Sequence, residues 1–227
     1  MSRTIVAIGG FSSEVGKTTL LCELLGALPG WEAIKLTRGH YRSCGKDPHT
    51  CCVSHLLGDQ PLIRSGRRET YATGKDTGRY WDAGASNVHW VIGTDDQVEQ
   101  GINMALERTC APGVLIEGNS FLNYVAVDFG LMVAKAEGGK IKPTARRALK
   151  YLDAIYLFDD ANGITTNARK RFQGWLEGSD DREGLARMPV YTRDELPQLI
   201  ERIGEVHNTR SCNGTSETAE WGFAERI

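Results

Sequence analysis

Thr4-Ile5-Val6-Ala7-Ile8-Gly9-Gly10-Phe11-Ser12-Ser13-Glu14-Val15-Gly16-Lys17-Thr18-Thr19 decides the fold. Thr4 to Ile8 is a short β-branched run that reads as a buried strand, and Gly9-Gly10 ends it. Thr18 to Leu28 then reads as a helix, with Leu20, Leu21, Leu24 and Leu25 at helical spacing and Pro29-Gly30 as its stop. A glycine-rich loop closed by Gly-Lys-Thr between a strand and a helix is the context of a phosphate-binding loop. Glycine lets backbone N–H groups approach phosphate oxygens, and the helix N-terminus adds free donors and a favourable dipole. Gly10, Ser12, Ser13, Glu14, Val15, Gly16, Lys17, Thr18 and Thr19 are therefore the nucleotide-binding candidates. Lys17 is expected at the β- and γ-phosphates and the Thr18 hydroxyl on Mg²⁺. The spacing is Gly10-x5-Gly16-Lys17-Thr18, one residue longer than the usual form, which would need glycine where Phe11 stands.

Working outward, Trp31 to Leu36 reads as a second strand, which completes a βαβ unit and implies a parallel sheet with a right-handed crossover. Asn87–Gly93, Gly113–Ile116, Phe129–Ala134, Ala154–Phe158 and Pro189–Tyr191 read as further strands. Asp96–Arg108, Pro143–Leu152, Ala168–Leu176 and Asp194–Ile203 read as helices. The expected fold class is α/β, three layers around a mostly parallel sheet, in one domain over residues 1–206. Within it, residues 37–77 lack apolar periodicity and are expected to form an irregular functional insertion. Residues 207–227 are polar and Gly/Ser/Thr-rich and are expected to be a mobile tail.

Three further residues point at the same end of the sheet. Gly113-Val114-Leu115-Ile116-Glu117-Gly118 is an apolar strand ending in an acid, and strand C-terminal ends face the ligand crevice in such sheets. Glu117 is thus placed beside Mg²⁺ and the γ-phosphate, and Asn119 is a candidate for orienting a water or substrate. Lys35 ends the second strand on that side and joins the nucleotide-binding candidates, with a surface lysine as the alternative. In Gly74-Lys75-Asp76-Thr77-Gly78-Arg79, Asp76 would reach Mg²⁺ or its waters, while Lys75 and Arg79 would hold an anionic group. A polar turn with Asp76 as an N-cap is the alternative. The catalytic candidates are Lys17, Glu117 and Asp76, and the Mg²⁺ ligand candidates are Thr18, Glu117 and Asp76.

These motifs resemble known families. Ser13-Glu14-Val15-Gly16-Lys17-Thr18, one residue longer than usual, is similar to the phosphate loop of dethiobiotin synthetases, of the SIMIBI class of P-loop proteins. The lysine that dimeric ATPases of that class carry early in the loop is absent. Gly74-Lys75-Asp76-Thr77, Arg79 and Ala83-Gly84-Ala85 resemble a segment of the MobB-like family of molybdopterin-guanine dinucleotide biosynthesis adaptors, and the order up to Glu117-Gly118 follows that family over about residues 4–120. Its usual Lys-His pair after the second strand is replaced by Lys35-Leu36-Thr37-Arg38-Gly39-His40. The resemblance implies a P-loop NTPase fold, a purine nucleotide (ATP or GTP) with Mg²⁺, and an accessory role in molybdenum-cofactor or metal-centre assembly. It also implies a homodimer.

His40, Cys44, His49, Cys51, Cys52 and His55 fall within sixteen residues of the insertion. Thiolate and imidazole suit Zn²⁺ or an iron–sulfur centre, with Cys44, His49, Cys51 and Cys52 as the candidate ligands. Thiol chemistry and incidental cysteines are the alternatives. Asp159, Asp160 and Asn162 follow a strand where base recognition is expected. Lys135 and Lys142 are expected on the surface and the tryptophans in packing roles.

Composition bounds the rest. Lys plus Arg is 27 and Asp plus Glu 29 among 227 residues, a net charge of −2, which argues against nucleic acid or an anionic membrane as the main partner. No apolar stretch approaches the roughly 18 residues of a membrane span, and the N-terminus lacks signal-peptide anatomy, so a cytoplasmic protein is expected. Three readings follow: an accessory NTPase with a partner protein, a small-molecule kinase or ATP-dependent ligase, and a metal-binding or redox module regulated by nucleotide.

Overall fold

The computed structural model describes residues 3–39, 53–159 and 167–216. The chain runs through β1 (Thr4–Gly10), α1 (Lys17–Ala27), β2 (Glu32–Arg38), β3 (Leu62–Ser65), α2 (Arg67–Thr70), α3 (Asp76–Asp82), β4 (Val88–Gly93) and α4 (Val98–Glu107). It continues through β5 (Gly113–Glu117), β6 (Phe129–Lys135), α5 (Pro143–Ala148), β7 (Ala154–Phe158), α6 (Ala168–Glu177), α7 (Arg182–Leu185), β8 (Val190–Tyr191) and α8 (Leu196–Ser216). The strands form one sheet in the order β3-β4-β2-β5-β1-β6-β7-β8. Every neighbouring pair is parallel except β3 with β4.

A parallel sheet is covered on both faces, so its strands read as continuous apolar runs. All five residues of β5 are buried. On one face α1, α3 and α8 pack through Leu20, Leu21, Leu24, Tyr80, Leu199 and Ile203. On the other, Ile102 and Ala105 of α4, Ala145 of α5 and Phe172 of α6 form a second core. This is the three-layer α/β P-loop NTPase fold. Each fully buried Leu of α1 contributes about 1.5–3 kcal/mol of hydrophobic stabilisation. Because β5 lies between β1 and β2, the loop after β1 and the end of β2 flank the same acid-bearing strand.

Two stretches differ from the sequence expectation. Residues 37–77 hold an antiparallel edge strand, β3, and the short α2, and Asp76 opens α3. The helix α8 continues to Ser216, ten residues into the expected tail. His207 Nδ1 lies 2.8 Å from Thr4 Oγ1, its ring meets Trp31 edge-on, and Arg210 pairs with Asp128, so tertiary contacts hold that extension. Among the described residues no helix is long and apolar enough to cross a membrane.

Candidate functional site

Strand register assembles the site. Residues directly opposed on neighbouring parallel strands project to one face, and here Ile8 opposes Glu117, Glu117 opposes Lys35, and Lys35 opposes Trp90. Glu117 and Lys35 therefore stand side by side on the α1/α3 face at the end where the loop leaves β1.

That loop is fixed at both ends. Asn119 Oδ1 accepts from Gly10 N at 2.8 Å, and Asn119 Nδ2 donates to Gly10 O at 2.9 Å. Asn119 is thus spent on the backbone of the loop, a clamp rather than the water-orienting group expected. Phe11, standing where the usual motif has glycine, is 1% exposed and packs on Phe172 and Trp175 of α6. Its N–H donates to Val133 O at 3.0 Å, and its carbonyl accepts from Lys142 N at 2.9 Å. The lengthened loop is therefore pinned into the core before it turns. Glu14 (φ 58) and Gly16 (φ 92) are both left-handed, and such turns gather backbone N–H groups into an anion-binding concavity. A Cβ on Gly16 would lie 2.3 Å from the Phe158 ring, so glycine is required there twice over.

Ser13, Gly16, Lys17, Thr18 and Thr19 line a cavity of about 570 Å³ with Glu14, Lys35, Asp76, Arg79, Glu117 and Phe158. Ser12 contributes its carbonyl, 3.2 Å from Lys17 Nζ, while Val15 is buried beneath the loop. Thr18 Oγ1 donates to Glu117 Oε2 at 2.8 Å. Lys35 Nζ lies 2.5 Å from Glu117 Oε1 and 2.7 Å from Asp76 Oδ2. The Tyr80 hydroxyl donates to Glu117 Oε2. Arg79 Nη2 donates to Thr19 Oγ1 at 3.1 Å. Asp76 is the first residue of α3 and makes no cap to its own helix; its carboxylate turns to Lys35 instead.

The charges are interdependent. Burial alone would lower the Lys35 pKa, but the Glu117 and Asp76 carboxylates outweigh it and raise it above the usual lysine value. Burial alone would raise Asp76, but the Lys35 charge and hydrogen bonds from Lys35 and Thr18 hold it below the usual carboxylate range. Lys17 is held below the usual lysine value, mainly by burial, with Lys35 and Lys142 adding to the effect against Glu117. Burial, then the Glu117 charge, keeps the Tyr80 phenol neutral far above its ordinary range.

Thr18, Asp76 and Glu117 present a hydroxyl and two carboxylates, the hard oxygen donors that suit Mg²⁺, which takes one or two carboxylates and completes its shell with water and phosphate. The soft-metal candidates Cys44, His49, Cys51 and Cys52, with His40, lie outside the described residues. Among the described residues no group of three or more His, Cys, Asp or Glu gathers as a metal site. Asp160 and Asn162 also lie outside them, and Asp159 accepts from Arg171 at 2.5 Å.

Three site residues were not legible as such. Tyr80 lies four positions after Asp76 on α3, on the same helix face, which is the signal that would have found it. Lys142, expected to be a plain surface lysine, is exposed but donates to Ser13 Oγ at 2.6 Å. Phe158 covers the loop from the end of β7, a contact only the sheet order reveals.

No protein-family model and no curated protein sequence matches the chain. Solved structures similar to it include LpxK from Aquifex aeolicus in complex with ATP, with a TM-score of 0.46, 16% identity, and cover of 85% of this chain and 54% of that one. The pNOB8 ParA protein bound to nonspecific DNA gives 0.39 and 11%, with 93% of this chain and 99% of that one covered. A Zn(II)-bound triple mutant of the YjiA GTPase gives 0.40 and 16%, with 85% and 58% covered. The chain thus spans little more than half the length of LpxK and of YjiA.

Proposed function

We propose that this protein binds a purine nucleoside triphosphate with Mg²⁺ and hydrolyses or transfers its γ-phosphate. The observation that carries the reading is the convergence of Lys17, Thr18, Lys35, Asp76 and Glu117 on the one cavity under the glycine loop. Loop amides and Lys17 would hold the β- and γ-phosphates and stabilise charge on the transferring group. Thr18, Asp76 and Glu117 would hold Mg²⁺, which when bound neutralises phosphate charge. Lys35 compensates the two carboxylates and stands ready to meet a γ-phosphate oxygen. Tyr80 holds Glu117 in place. The resemblance of Gly74-Lys75-Asp76-Thr77 to the MobB-like segment supports an accessory role in molybdenum-cofactor or metal-centre assembly. A small-molecule kinase or ligase is the second reading, favoured by a further cavity that shares Lys35 and Asp76 with the first.

Calorimetric titration with the non-hydrolysable analogues AMPPNP and GMPPNP, each with Mg²⁺, tests the core of this reading. One of them is expected to bind, and Lys17→Ala to weaken it by about 10- to 100-fold, the loss of a charge-assisted hydrogen bond. Wild-type protein that binds neither, or a Lys17→Ala variant that binds as well as wild type, overturns it.

A further inference from the structure

The row of opposed residues does not stop at Lys35. Lys35 opposes Trp90, and Trp90 opposes Arg64 on the antiparallel edge strand. Beyond Lys35 the sheet surface thus changes from acid and ammonium to indole and guanidinium. These side chains floor a second cavity of about 580 Å³, which shares Lys35 and Asp76 with the phosphate cavity and adds Tyr71 and Lys75 on its wall.

Its chemistry is specific. The Trp90 indole is held in place by its Nε1 donating to Thr37 Oγ1 at 2.9 Å. The Arg64 guanidinium carbon lies 5.8 Å from the Trp90 ring centroid. Tyr71 is 37% exposed, large for an aromatic on a pocket wall. Neither Arg64 nor Lys75 makes an ion pair among the described residues. The cavity's two carboxylates are both engaged, Asp76 with Lys35 and Glu69 with the Ser65 amide at 3.1 Å. The cavity therefore offers two cations with no carboxylate partner among the described residues, Arg64 resting against Trp90, and two aromatic rings, of which Tyr71 carries the Arg67 guanidinium 4.3 Å from its centroid. A flat ring would stack on Trp90 or Tyr71, and a carboxylate or phosphate on that ring would take the guanidinium fork.

We infer that this second cavity binds a small planar anion, an aromatic carboxylate or phosphate, as a second ligand beside the phosphate loop. Its place next to a γ-phosphate rests on the nucleotide reading proposed above; its affinity for the anion does not. Stacking accounts for the ring and Arg64 with Lys75 for the charge, so neither part alone suffices.

The test uses phenyl phosphate, with inorganic phosphate and benzyl alcohol as probes that each lack one part. They are titrated calorimetrically into the 227-residue chain saturated with Mg²⁺ and whichever of AMPPNP and GMPPNP it binds, which blocks the phosphate loop. Phenyl phosphate is expected to bind at one site, with inorganic phosphate and benzyl alcohol at least about tenfold weaker. Arg64→Ala and Trp90→Leu should each weaken phenyl phosphate by about tenfold or more, and Arg64→Lys should recover part of the loss. Unfolding midpoints matching wild type show that the variants fold; should Trp90→Leu not fold, the Arg64 pair decides. Absence of binding overturns the inference. Equal binding by wild type and Arg64→Ala, or equal binding of phenyl and inorganic phosphate, also overturns it. The nucleotide reading is decided separately by AMPPNP and GMPPNP binding to wild type against Lys17→Ala. If wild type binds no nucleotide, the same probes on nucleotide-free protein decide the cavity, with the same outcomes.

Discussion

Lys142 Nζ donates to Ser13 Oγ at 2.6 Å, so a lysine 129 positions further along the chain reaches the tip of the glycine loop. The contact is built in by the backbone. Lys142 N donates to Phe11 O, and Pro143 then starts α5, which fixes the direction of the chain there. The loop carries no lysine early in its own sequence, and Lys142 adds its ammonium to those of Lys17 and Lys35 around the loop. Lys142→Ala is expected to weaken nucleoside triphosphate binding by about 2- to 5-fold, the range for an exposed charge contact, with the effect shrinking at high salt. Lys140→Ala, an exposed neighbour, is the control and should leave affinity unchanged. Titration at two salt concentrations measures both, and equal losses for the two variants would show that only net charge matters.

Glu117 is 3% exposed, yet it receives Thr18, Lys35 and Tyr80 together. Its geometry is thus set by three donors, and each removal should have a different signature. Glu117→Gln is expected to reduce Mg²⁺-dependent hydrolysis by about 100-fold or more, as loss of a group acting on the reacting phosphate does. Tyr80→Phe removes only a positioning donor and should cost about 1 kcal/mol in stability. It should also raise the Mg²⁺ concentration for half-maximal rate while leaving the metal-saturated rate closer to wild type. Hydrolysis measured across a Mg²⁺ series separates the two, and a Tyr80→Phe variant with wild-type Mg²⁺ dependence would remove Tyr80 from the positioning role.

How much of this was legible depended on whether a signal was local. The β1 strand, the loop, α1 and the acid at the end of β5 follow from periodicity and glycine placement over a few residues each, and the structure has those elements. The four-residue β3 is hidden because Leu62-Ile63-Arg64-Ser65 carries no alternation, and its pairing partners lie in β4, from Ser65 with His89 to Leu62 with Ile92. The end of α8 is not legible locally because Asn208, Thr209 and Ser211 are poor helix formers. His207 and Arg210, bonded to Thr4 and Asp128, override that preference. The second cavity was invisible for the same reason as β3: Lys35, Trp90 and Arg64 meet only through register.

At the sheet's opposite end, Glu32 of β2 and His89 of β4 are buried and hydrogen-bonded at 2.8 Å, and Ser65 of β3 completes the chain on His89 Nδ1 at 2.8 Å. Burial alone would raise Glu32, but the His89 hydrogen bond and the Cys110 and Ala111 amides hold it below the usual carboxylate range. A depressed folded pKa means that Glu32 contributes stability above its unfolded value of about 4.3, lost as pH falls through the folded value. Wild-type unfolding midpoints should therefore drop on acidification below that value. Glu32→Gln should be less stable at neutral pH by about 1–3 kcal/mol and show a shallower acid decline. Thermal unfolding from pH 7 to pH 3 checks this, and parallel curves for the two proteins would assign the acid sensitivity to other groups.

Gly16 and Phe158 make a separable pair. Replacing Gly16 by Ala imposes a left-handed non-glycine residue, costing about 1–2 kcal/mol, and drives its Cβ into the Phe158 ring. Gly16→Ala is therefore expected to lower both stability and nucleotide affinity. Phe158→Ala alone uncovers the loop and gives up part of the ring's burial. In the double variant the steric part of the Gly16→Ala penalty disappears while the backbone part remains. The two losses should then be less than additive by about 1 kcal/mol or more, the coupling seen between residues in contact. Unfolding free energies of wild type, both single variants and the double variant close the cycle. Strict additivity would mean that the loop relaxes away from Phe158 at no cost, and that β7 does not fix its position.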